Sequence, residues 1–170
     1  MAEIGKDISK ARALLKKGEL VAIPTETVYG LAGNALDQDA IASIFKVKNR
    51  PSFDPLIVHV ASFGQVVSLT KAIAEKAKKL ANTFWPGPLT LLLNKKTIIP
   101  DLVTSGLDTV GVRLPHQSLT QKLLTSLEFP LVAPSANPFG YVSPTTAQHV
   151  NDQLGDKIAY ILDGGECSIG

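Results

Sequence analysis

The chain has 170 residues, of which 45% are hydrophobic and 19% charged, and its formal net charge is +2. These values predict one globular domain with a single buried core and exclude a disordered or low-complexity chain. A net charge of +2 does not indicate a nucleic-acid partner, although a local basic patch is compatible with so balanced a total. No apolar run approaches the roughly 20 residues of a membrane span, and the N-terminus lacks the apolar region of a signal peptide, so we expect a cytoplasmic protein.

The first half of the chain alternates predicted helices and strands. One helix begins after Asp7 or Ser9, either of which can cap it, and ends at Gly18. The segment "ELVAIP" then predicts a buried strand. "DQDAIASIFKVK" predicts an amphipathic helix that ends at "NRP", because the residue before a proline avoids the helical region. "PLIVHV" predicts another strand.

The second half continues this alternation. A helical stretch ending near Thr83 is followed by the turn "WPGP". Four strands come next, with two helices among them: strands "LTLLLN", "TVGVRL", "PLVAP" and "IAYILD", and helices "SLTQKLLTSL" and "TTAQHVNDQL". The pattern predicts an α/β domain with a largely covered sheet, and it leaves strand order and direction open.

Polar residues, glycines and prolines cluster where the apolar segments end. The clusters are "PTETVYG", "VKNRPSFDP", "VRLPH", "PSANPFG" and "DGG". Ligands of open α/β sheets collect where strand ends meet loops. If several of these ends converge, we expect them to form one pocket.

Several common site signatures are absent from the sequence. No G-x-x-x-x-G-K-[ST] loop occurs, and no G-x-G-x-x-G follows a strand, so a bound nucleotide would not use either glycine-rich loop. There is no serine nucleophile elbow, and the three histidines lack the spacing of a metal site. Cys167 is the only cysteine, which excludes an internal disulfide and a cysteine-based zinc site. We therefore expect neither covalent nor zinc chemistry.

Lys48 and Arg50 form a candidate site for a polyphosphate. Pro51 favours extended geometry at Arg50, and in an extended segment residues i and i+2 share a face about 7 Å apart. Two cations on one side suit a polyphosphate. The alternative is that both complement the dipole at the C-terminus of the preceding helix, and the spacing alone favours that interpretation.

A second group of polar side chains follows the strand "PLVAP". Ser135 and Asn137 can donate to phosphate or ribose oxygens, or they can cap their own turn, which is commoner. Further on, Ser143 and Pro144 predict a helix start, with Ser143 as N-cap and Pro144 as first helical residue. A helix N-terminus is also an anion site, so the two interpretations of Ser143 are compatible.

Arg113, at the end of "TVGVRL", needs a carboxylate or phosphate partner, and its planar fork suits a carboxylate. An internal ion pair with Asp or Glu is an equally good interpretation. His59 lies in a buried strand and by itself is typical of a core histidine. The residues around Glu26 in "PTETVYG" are interpreted as turn residues first and as ligand contacts second.

Seven stretches of the sequence, taken together, resemble the YrdC-like threonylcarbamoyl-AMP synthases, which are ATP-using enzymes of transfer-RNA modification. In family order they are "PTETVYGL", "IFKVKNRP" with "PLIVH", "FWPGPLT", "VGVRLP", "APSAN", "SPTTA" and "ILDGG". Each stretch is a weak signal, but seven in order over nearly the whole chain are highly specific. The resemblance implies one YrdC-like domain over residues 1–170, with helices packed on a twisted mixed sheet, and it favours the ligand-binding interpretations above.

The resemblance also implies a nucleotidyltransferase reaction. L-threonine, bicarbonate and ATP give threonylcarbamoyl-AMP and pyrophosphate, and separate transferase proteins then move the threonylcarbamoyl group to the adenosine beside the anticodon of certain tRNAs. The resemblance also suggests tRNA as a further partner, which the protein would contact directly. Such a reaction needs no covalent nucleophile, only positioning and neutralisation of charge.

The family pattern carries over to ten positions. Six are implied to bind ATP, the first two of them as catalytic residues: Lys48, Arg50, Thr109, Ser135, Asn137 and Ser143. Four are implied to bind threonine, the last through its backbone: Thr27, His59, Arg113 and Ala133. Mg²⁺ is expected to accompany the triphosphate, so no protein metal ligand is named.

The sequence departs from the family pattern at two places. Asp54 stands where the family often has asparagine, and a carboxylate meets a triphosphate less favourably unless Mg²⁺ or Lys48 offsets its charge. The sequence stops at "DGGECSIG", where the family continues into a further strand with more nucleotide contacts. The resemblance therefore implies that the C-terminal end of the family domain lies beyond residue 170.

Two other functions compete with the synthase. One is a non-catalytic RNA-binding module of the same fold, but the sequence offers no aromatic platform for stacking bases. The other is carbamoyl transfer in hydrogenase maturation, where a similar domain belongs to a much longer chain, and the lack of zinc-finger cysteines argues against it.

Overall fold

Helices and strands alternate along the computed structural model, which describes residues 1–51 and 54–170. Residues 52 and 53, in the middle of "VKNRPSFDP", lie outside the described residues. The described residues form eight strands and seven helices. In chain order these are β1 (Glu3–Gly5), α1 (Ile8–Lys16), β2 (Val21–Ile23), β3 (Gly30–Asn34), α2 (Gln38–Lys48), β4 (Ile57–His59), α3 (Phe63–Leu69), α4 (Glu75–Phe84), β5 (Leu91–Asn94), α5 (Asp101–Thr104), β6 (Thr109–Arg113), α6 (Ser118–Ser126), β7 (Leu131–Val132), α7 (Ala147–Leu154) and β8 (Tyr160–Leu162).

The strands form one mixed sheet in the order β1-β8-β2-β3-β7-β4-β6-β5. The pairs β1–β8, β2–β8 and β4–β6 are parallel. The pairs β2–β3, β3–β7, β4–β7 and β5–β6 are antiparallel. The predicted α/β domain with a mixed sheet covered by helices is confirmed.

Alternate strand residues pack into two cores on opposite faces of the sheet. In β8, Tyr160 and Leu162 belong to a core with residues of α1 and α6. Ile161, between them, belongs to a larger core with residues of the other five helices. This alternation is the two-residue period of a strand. The side of the smaller core is called the α1/α6 face below.

Side-chain caps set the start of α1 and a left-handed residue sets the end of α2. Asp7, and not Ser9, caps α1, because its Oδ1 accepts hydrogen bonds from the backbone amides of Ser9 and Lys10 at 2.8 and 3.2 Å. Helix α2 ends at Lys48, and Asn49 follows with a φ of 55°. The expectation that Lys48 and Arg50 lie on one extended segment is therefore wrong, because Lys48 is still helical.

The predicted start of the last helix is also wrong. Helix α7 begins at Ala147 and is capped by Thr146 instead of Ser143. The cause is a contact with another segment: the carbonyl of Pro144 accepts a hydrogen bond from the backbone amide of Tyr29 at 2.8 Å. Pro144 is thus held against the loop before β3 and is not part of the helix.

Strand β3 was not predicted, because "GLAGN" carries two glycines and follows a turn. It forms because it pairs with β2 on one side and β7 on the other. Gly30 allows close approach at this point, since a Cβ there would lie 3.1 Å from the Cβ of Ala133. Tertiary pairing therefore overrides a weak local preference.

Candidate functional site

Three of the residues named from the sequence lie on the α1/α6 face. His59 stands directly opposite both Arg113 in β6 and Leu131 in β7. Directly opposed residues of neighbouring strands share a face. Leu131 and Ala133 both pack in the α1/α6 core. His59, Arg113 and Ala133 therefore share one face of the sheet, as the proposed threonine pocket requires.

Arg113 is held by an internal ion pair. Its Nη2 donates to Oε1 of Glu26 at 2.8 Å and to Oγ1 of Thr27 at 3.1 Å. The side chains of Arg113 and Glu26 are only 11% and 5% exposed. The Nε of Arg113 is buried and has no hydrogen-bond partner among the described residues. The ion-pair interpretation of Arg113 is thus correct, and one donor of the guanidinium stays unpaired among the described residues.

Glu26 is a residue of the candidate site for which no role could be derived from the sequence. Its Oε2 accepts a hydrogen bond from the backbone amide of His116 at 3.1 Å. Burial raises its pKa, but hydrogen bonds from Arg113 and from the amides of Glu26 and His116, with the charge of Arg113, hold the pKa below its usual value. Glu26 is therefore ionised at neutral pH. The available signal was the need of Arg113 for a carboxylate, but its partner lies 87 residues away.

The turn that carries Glu26 is built around Thr25. Its Oγ1 accepts hydrogen bonds from the backbone amides of Thr27 and Val28, both at 3.1 Å, and donates to the carbonyl of Val28 at 2.6 Å. The prediction that these are turn residues is confirmed. The turn also places Thr27 beside Arg113, so the structural and the ligand-binding interpretations of this stretch are compatible.

His59 is buried and neutral. Burial, and then the charge of Arg113, lowers its pKa to about 4. Its Nδ1 lies 3.3 Å from the carbonyl of Ile57. A neutral imidazole that donates from Nδ1 keeps Nε2 as an acceptor. His59 thus combines the predicted core position with an acceptor next to Arg113.

Lys48 joins the end of α2 to the loop after β7. The residue is 1% exposed, and its Nζ donates to the backbone carbonyls of Ser135 and Asn137. Burial, and then the charge of Arg50, lowers its pKa to about 8, while Asp54 opposes the change. An ammonium has three donors, so these two hydrogen bonds leave one N–H of Lys48 unused.

Arg50 is neutralised by the acidic residue that departs from the family pattern. Its Nη2 lies 2.8 Å from Oδ2 of Asp54 and 3.1 Å from the carbonyl of Pro55. Its guanidinium carbon also lies 6.0 Å from the centre of the Phe139 ring, within cation–π distance. The charge of Asp54 is thus offset by Arg50.

The loop after β7 carries Ser135 and Asn137 next to Lys48. Ser135 forms an isolated bridge with Gly30 at the start of β3. The Nδ2 of Asn137 donates to the carbonyls of Pro138 and Tyr141, both at 2.8 Å, which confirms that Asn137 caps its own turn. Its Oδ1 is buried without a partner in the part of the chain that the structure describes. That oxygen is a free acceptor close to Lys48.

Thr109 and Ser143 lie further from this cluster. Thr109 begins β6 four residues before Arg113, so it shares the same face at a distance of roughly 13 Å. It also lines a cavity of about 210 Å³ with Pro55, Ile57 and Leu107. Ser143 is exposed on the loop before α7.

A cavity larger than the one at Thr109 lies elsewhere on the described surface. It has a volume of about 590 Å³ and is lined by residues of α2 and of the segments before β2 and β8, including Ser43, Lys46 and Lys157. Because none of the ten predicted site residues lines it, its size does not identify the site. Within residues 1–51 and 54–170, no group of three or more His, Cys, Asp or Glu side chains could hold a metal ion. No described helix has the length and apolar character needed to cross a membrane.

Comparison with known proteins supports the resemblance seen in the sequence. Residues 13–170 match the family model Sua5_yciO_yrdC, which carries the description "Telomere recombination". A threonylcarbamoyl-AMP synthase of Pyrococcus abyssi is 52% identical over 160 residues, which cover 94% of this chain and 47% of that protein. A threonylcarbamoyl-AMP synthase of Bacillus subtilis is 49% identical over 164 residues, covering 96% of this chain and 47% of that protein.

The fold agrees with the sequence match. The structure of P. abyssi Sua5 complexed with L-threonine superposes with a TM-score of 0.96 at 48% identity, and the match covers 100% of this chain and 52% of that one. The chain therefore spans about half the length of these relatives. The family match over residues 13–170, the identity and the superposition together show that the chain belongs to the Sua5/YciO/YrdC family.

Proposed function

We propose that the protein makes threonylcarbamoyl-AMP from L-threonine, bicarbonate and ATP, with release of pyrophosphate. The product would supply the transferase proteins that place threonylcarbamoyladenosine next to the tRNA anticodon in the cytoplasm. The proposal is supported by the names of the two similar synthases and by the L-threonine bound to the similar P. abyssi protein.

One observation of this chain carries the proposal. Arg113 lies on one face of the sheet with His59 and Ala133, Thr27 contacts its guanidinium, and its buried Nε is without a partner among the described residues. A small α-amino acid needs a bidentate cation for its carboxylate and a polar lining for its other groups. Thr27, His59 and the Ala133 backbone are proposed as that lining.

The nucleotide is proposed to bind at the other side of Ala133. Lys48 and Arg50 would bind the ATP phosphates, Ser135 and Asn137 would bind phosphate or ribose oxygens, and Thr109 and Ser143 would extend the nucleotide side. Ser135 is two residues from Ala133, so the two subsites are adjacent along one loop. Mg²⁺ would enter with ATP, and we assign it no protein ligands.

Within this site, the protein's residues would act by positioning and charge neutralisation. Threonine and bicarbonate lose water to form a carbamate on the threonine amine. A carbamate oxygen then attacks the α-phosphorus of ATP, and the bond to the β-phosphate oxygen breaks as pyrophosphate leaves. Arg113 would hold the threonine carboxylate, and Lys48 and Arg50 would offset the charge on the phosphates. No side chain forms a covalent bond to substrate.

The proposal is tested by measuring pyrophosphate release from ATP with bicarbonate and with threonine, serine or neither amino acid. We expect release that depends on both bicarbonate and threonine, with serine a poorer substrate because it lacks the methyl group. No threonine-dependent release of pyrophosphate, together with tight tRNA binding, would instead favour the non-catalytic RNA-binding function.

A further inference from the structure

Glu26 has no role in the proposed reaction, although it contacts Arg113 and lies buried in the candidate site. A carboxylate held away from water is costly unless donors surround it. In Glu26, Oε1 accepts from Arg113 at 2.8 Å and Oε2 accepts from the His116 amide at 3.1 Å. The Glu26 carbonyl accepts from the amide of Ile169 at 2.9 Å. Both ends of the residue are therefore fixed.

The fixed carboxylate in turn fixes the guanidinium of Arg113. Nη2 is shared between Glu26 and Oγ1 of Thr27, 3.1 Å away. A guanidinium has five N–H donors in one plane, so anchoring one nitrogen at two acceptors sets the direction of the others. The buried Nε, which has no partner in the described part of the chain, is among the donors so directed.

We propose that Glu26 is a positioning residue for the amino-acid substrate. It holds the Arg113 guanidinium in the plane in which its remaining donors bind the α-carboxylate of that substrate. Glu26 acts through Arg113 and is not a catalytic residue. The inference rests on the proposed function, which supplies L-threonine as the amino acid.

A second effect of Glu26 opposes the first. Two carboxylates on one guanidinium repel each other, which would weaken substrate binding. The charge of Glu26 is already shared with the His116 amide, whereas an arginine without an anchor loses the fixed geometry that bidentate binding needs. We expect positioning to outweigh repulsion, and the two effects predict opposite changes in threonine affinity when the charge of Glu26 is removed.

The test is the affinity of the purified protein for L-threonine and for ATP, measured by calorimetry. Glu26→Gln keeps the size of the side chain and removes its charge. We expect it to weaken threonine binding about tenfold, as for a lost charged hydrogen bond, with ATP affinity unchanged. Glu26→Asp keeps the charge, so its threonine affinity should lie between those of the wild type and of Glu26→Gln. Glu128→Gln is the matched control, because Glu128 forms an exposed ion pair with Lys16 at 2.8 Å, and it should change neither affinity.

Each other result overturns the inference. Unchanged threonine affinity in Glu26→Gln would show that the ion pair is not used, and tighter binding would show that Glu26 competes with the substrate for Arg113. Equal weakening of threonine and ATP binding would indicate a structural role. If Glu26→Gln does not fold, Glu26→Asp decides by the same comparison. A wild-type protein that binds no threonine refutes the proposed function, and the inference with it.

Discussion

At the scale of single residues, each cation of the site already has a partner within the protein. Arg113 pairs with Glu26, Arg50 with Asp54, and Lys48 with two backbone carbonyls. Carbonyls do not neutralise a charge as a carboxylate does, so burial lowers the pKa of Lys48 to about 8. Among these three cations, Lys48 is therefore the one whose charge depends on pH near neutrality.

This pKa predicts how ATP binding depends on pH. ATP keeps its charge above pH 8, because the second ionisation of a phosphate has a pKa of about 6. Lys48 loses its charge in that range, so we expect ATP affinity to fall by up to about tenfold for each pH unit above 8. Calorimetry with ATP and Mg²⁺ between pH 7 and 9.5 would measure it. Lys48→Met should bind ATP weakly at every pH and show no such slope.

The titration of Lys48 does not itself destabilise the fold above pH 8. The pKa of Lys48 is lower in the folded protein, about 8 against 10.5. The unfolded chain therefore binds more protons between these values, and the free energy of unfolding rises with pH in this window. An ATP affinity that is constant to pH 9.5 would show that Lys48 does not contact the phosphates, or that its pKa is not lowered.

At the scale of elements, the two proposed subsites are adjacent where β3 packs against the end of β7. A Cβ on Gly30 would lie 3.1 Å from the Cβ of Ala133 and 3.3 Å from its carbonyl oxygen. A Cβ on Gly33, in the same strand, would lie 3.0 and 3.2 Å from the side chains of Leu20 and Ile44 in the core. Alanine substitutions at the two glycines can therefore distinguish a general loss of stability through overpacking from a displacement of Ala133.

We expect Gly30→Ala and Gly33→Ala each to lower the free energy of unfolding by about 1–3 kcal/mol, because both overpack a tight contact. Only Gly30→Ala should also weaken threonine binding, because it displaces Ala133. Urea unfolding and threonine calorimetry on both variants check this. Equal threonine affinity in the two variants would show that the position of Ala133 does not matter to the ligand.

The elements of the fold could largely be predicted from the sequence, and the contacts within the site could not. Apolar periodicity and the Asp7 cap are local signals, so α1 and most strands were found. Strand β3 was missed because its stability comes from partners on both sides. Glu26 was missed because its contact with Arg113 depends on how the turn after β2 is placed against the end of β6. The family resemblance named the candidate site residues, but the partners of Lys48 and Arg113 could be identified only from the structure.

At the scale of the whole molecule, the site is held by contacts between distant parts of the chain. Lys48 meets Asn137 across 89 residues. Tyr29, buried in the core, donates from its hydroxyl to the carbonyl of Gly165 at 2.8 Å, across 136 residues. Such contacts exist only in the folded chain, so a titrating group in the site changes the stability of the entire domain.

The titration of His59 makes the stability of the domain depend on pH. Its pKa is about 4 in the folded protein against 6.5 for an exposed histidine, so the unfolded chain binds more protons between these values, and stability falls as pH is lowered through this window. We expect the free energy of unfolding to drop by about 2 kcal/mol between pH 7 and pH 5. The carboxyl of Glu26 does not contribute there, because its stabilising effect is lost only below its usual pKa of 4.5.

Urea unfolding at several pH values should show this drop in the wild type and in the control His149→Gln, which changes an exposed histidine. The drop should be absent in His59→Gln. The same drop in His59→Gln would assign the acid sensitivity to another group and show that His59 titrates alike in the folded and unfolded chain.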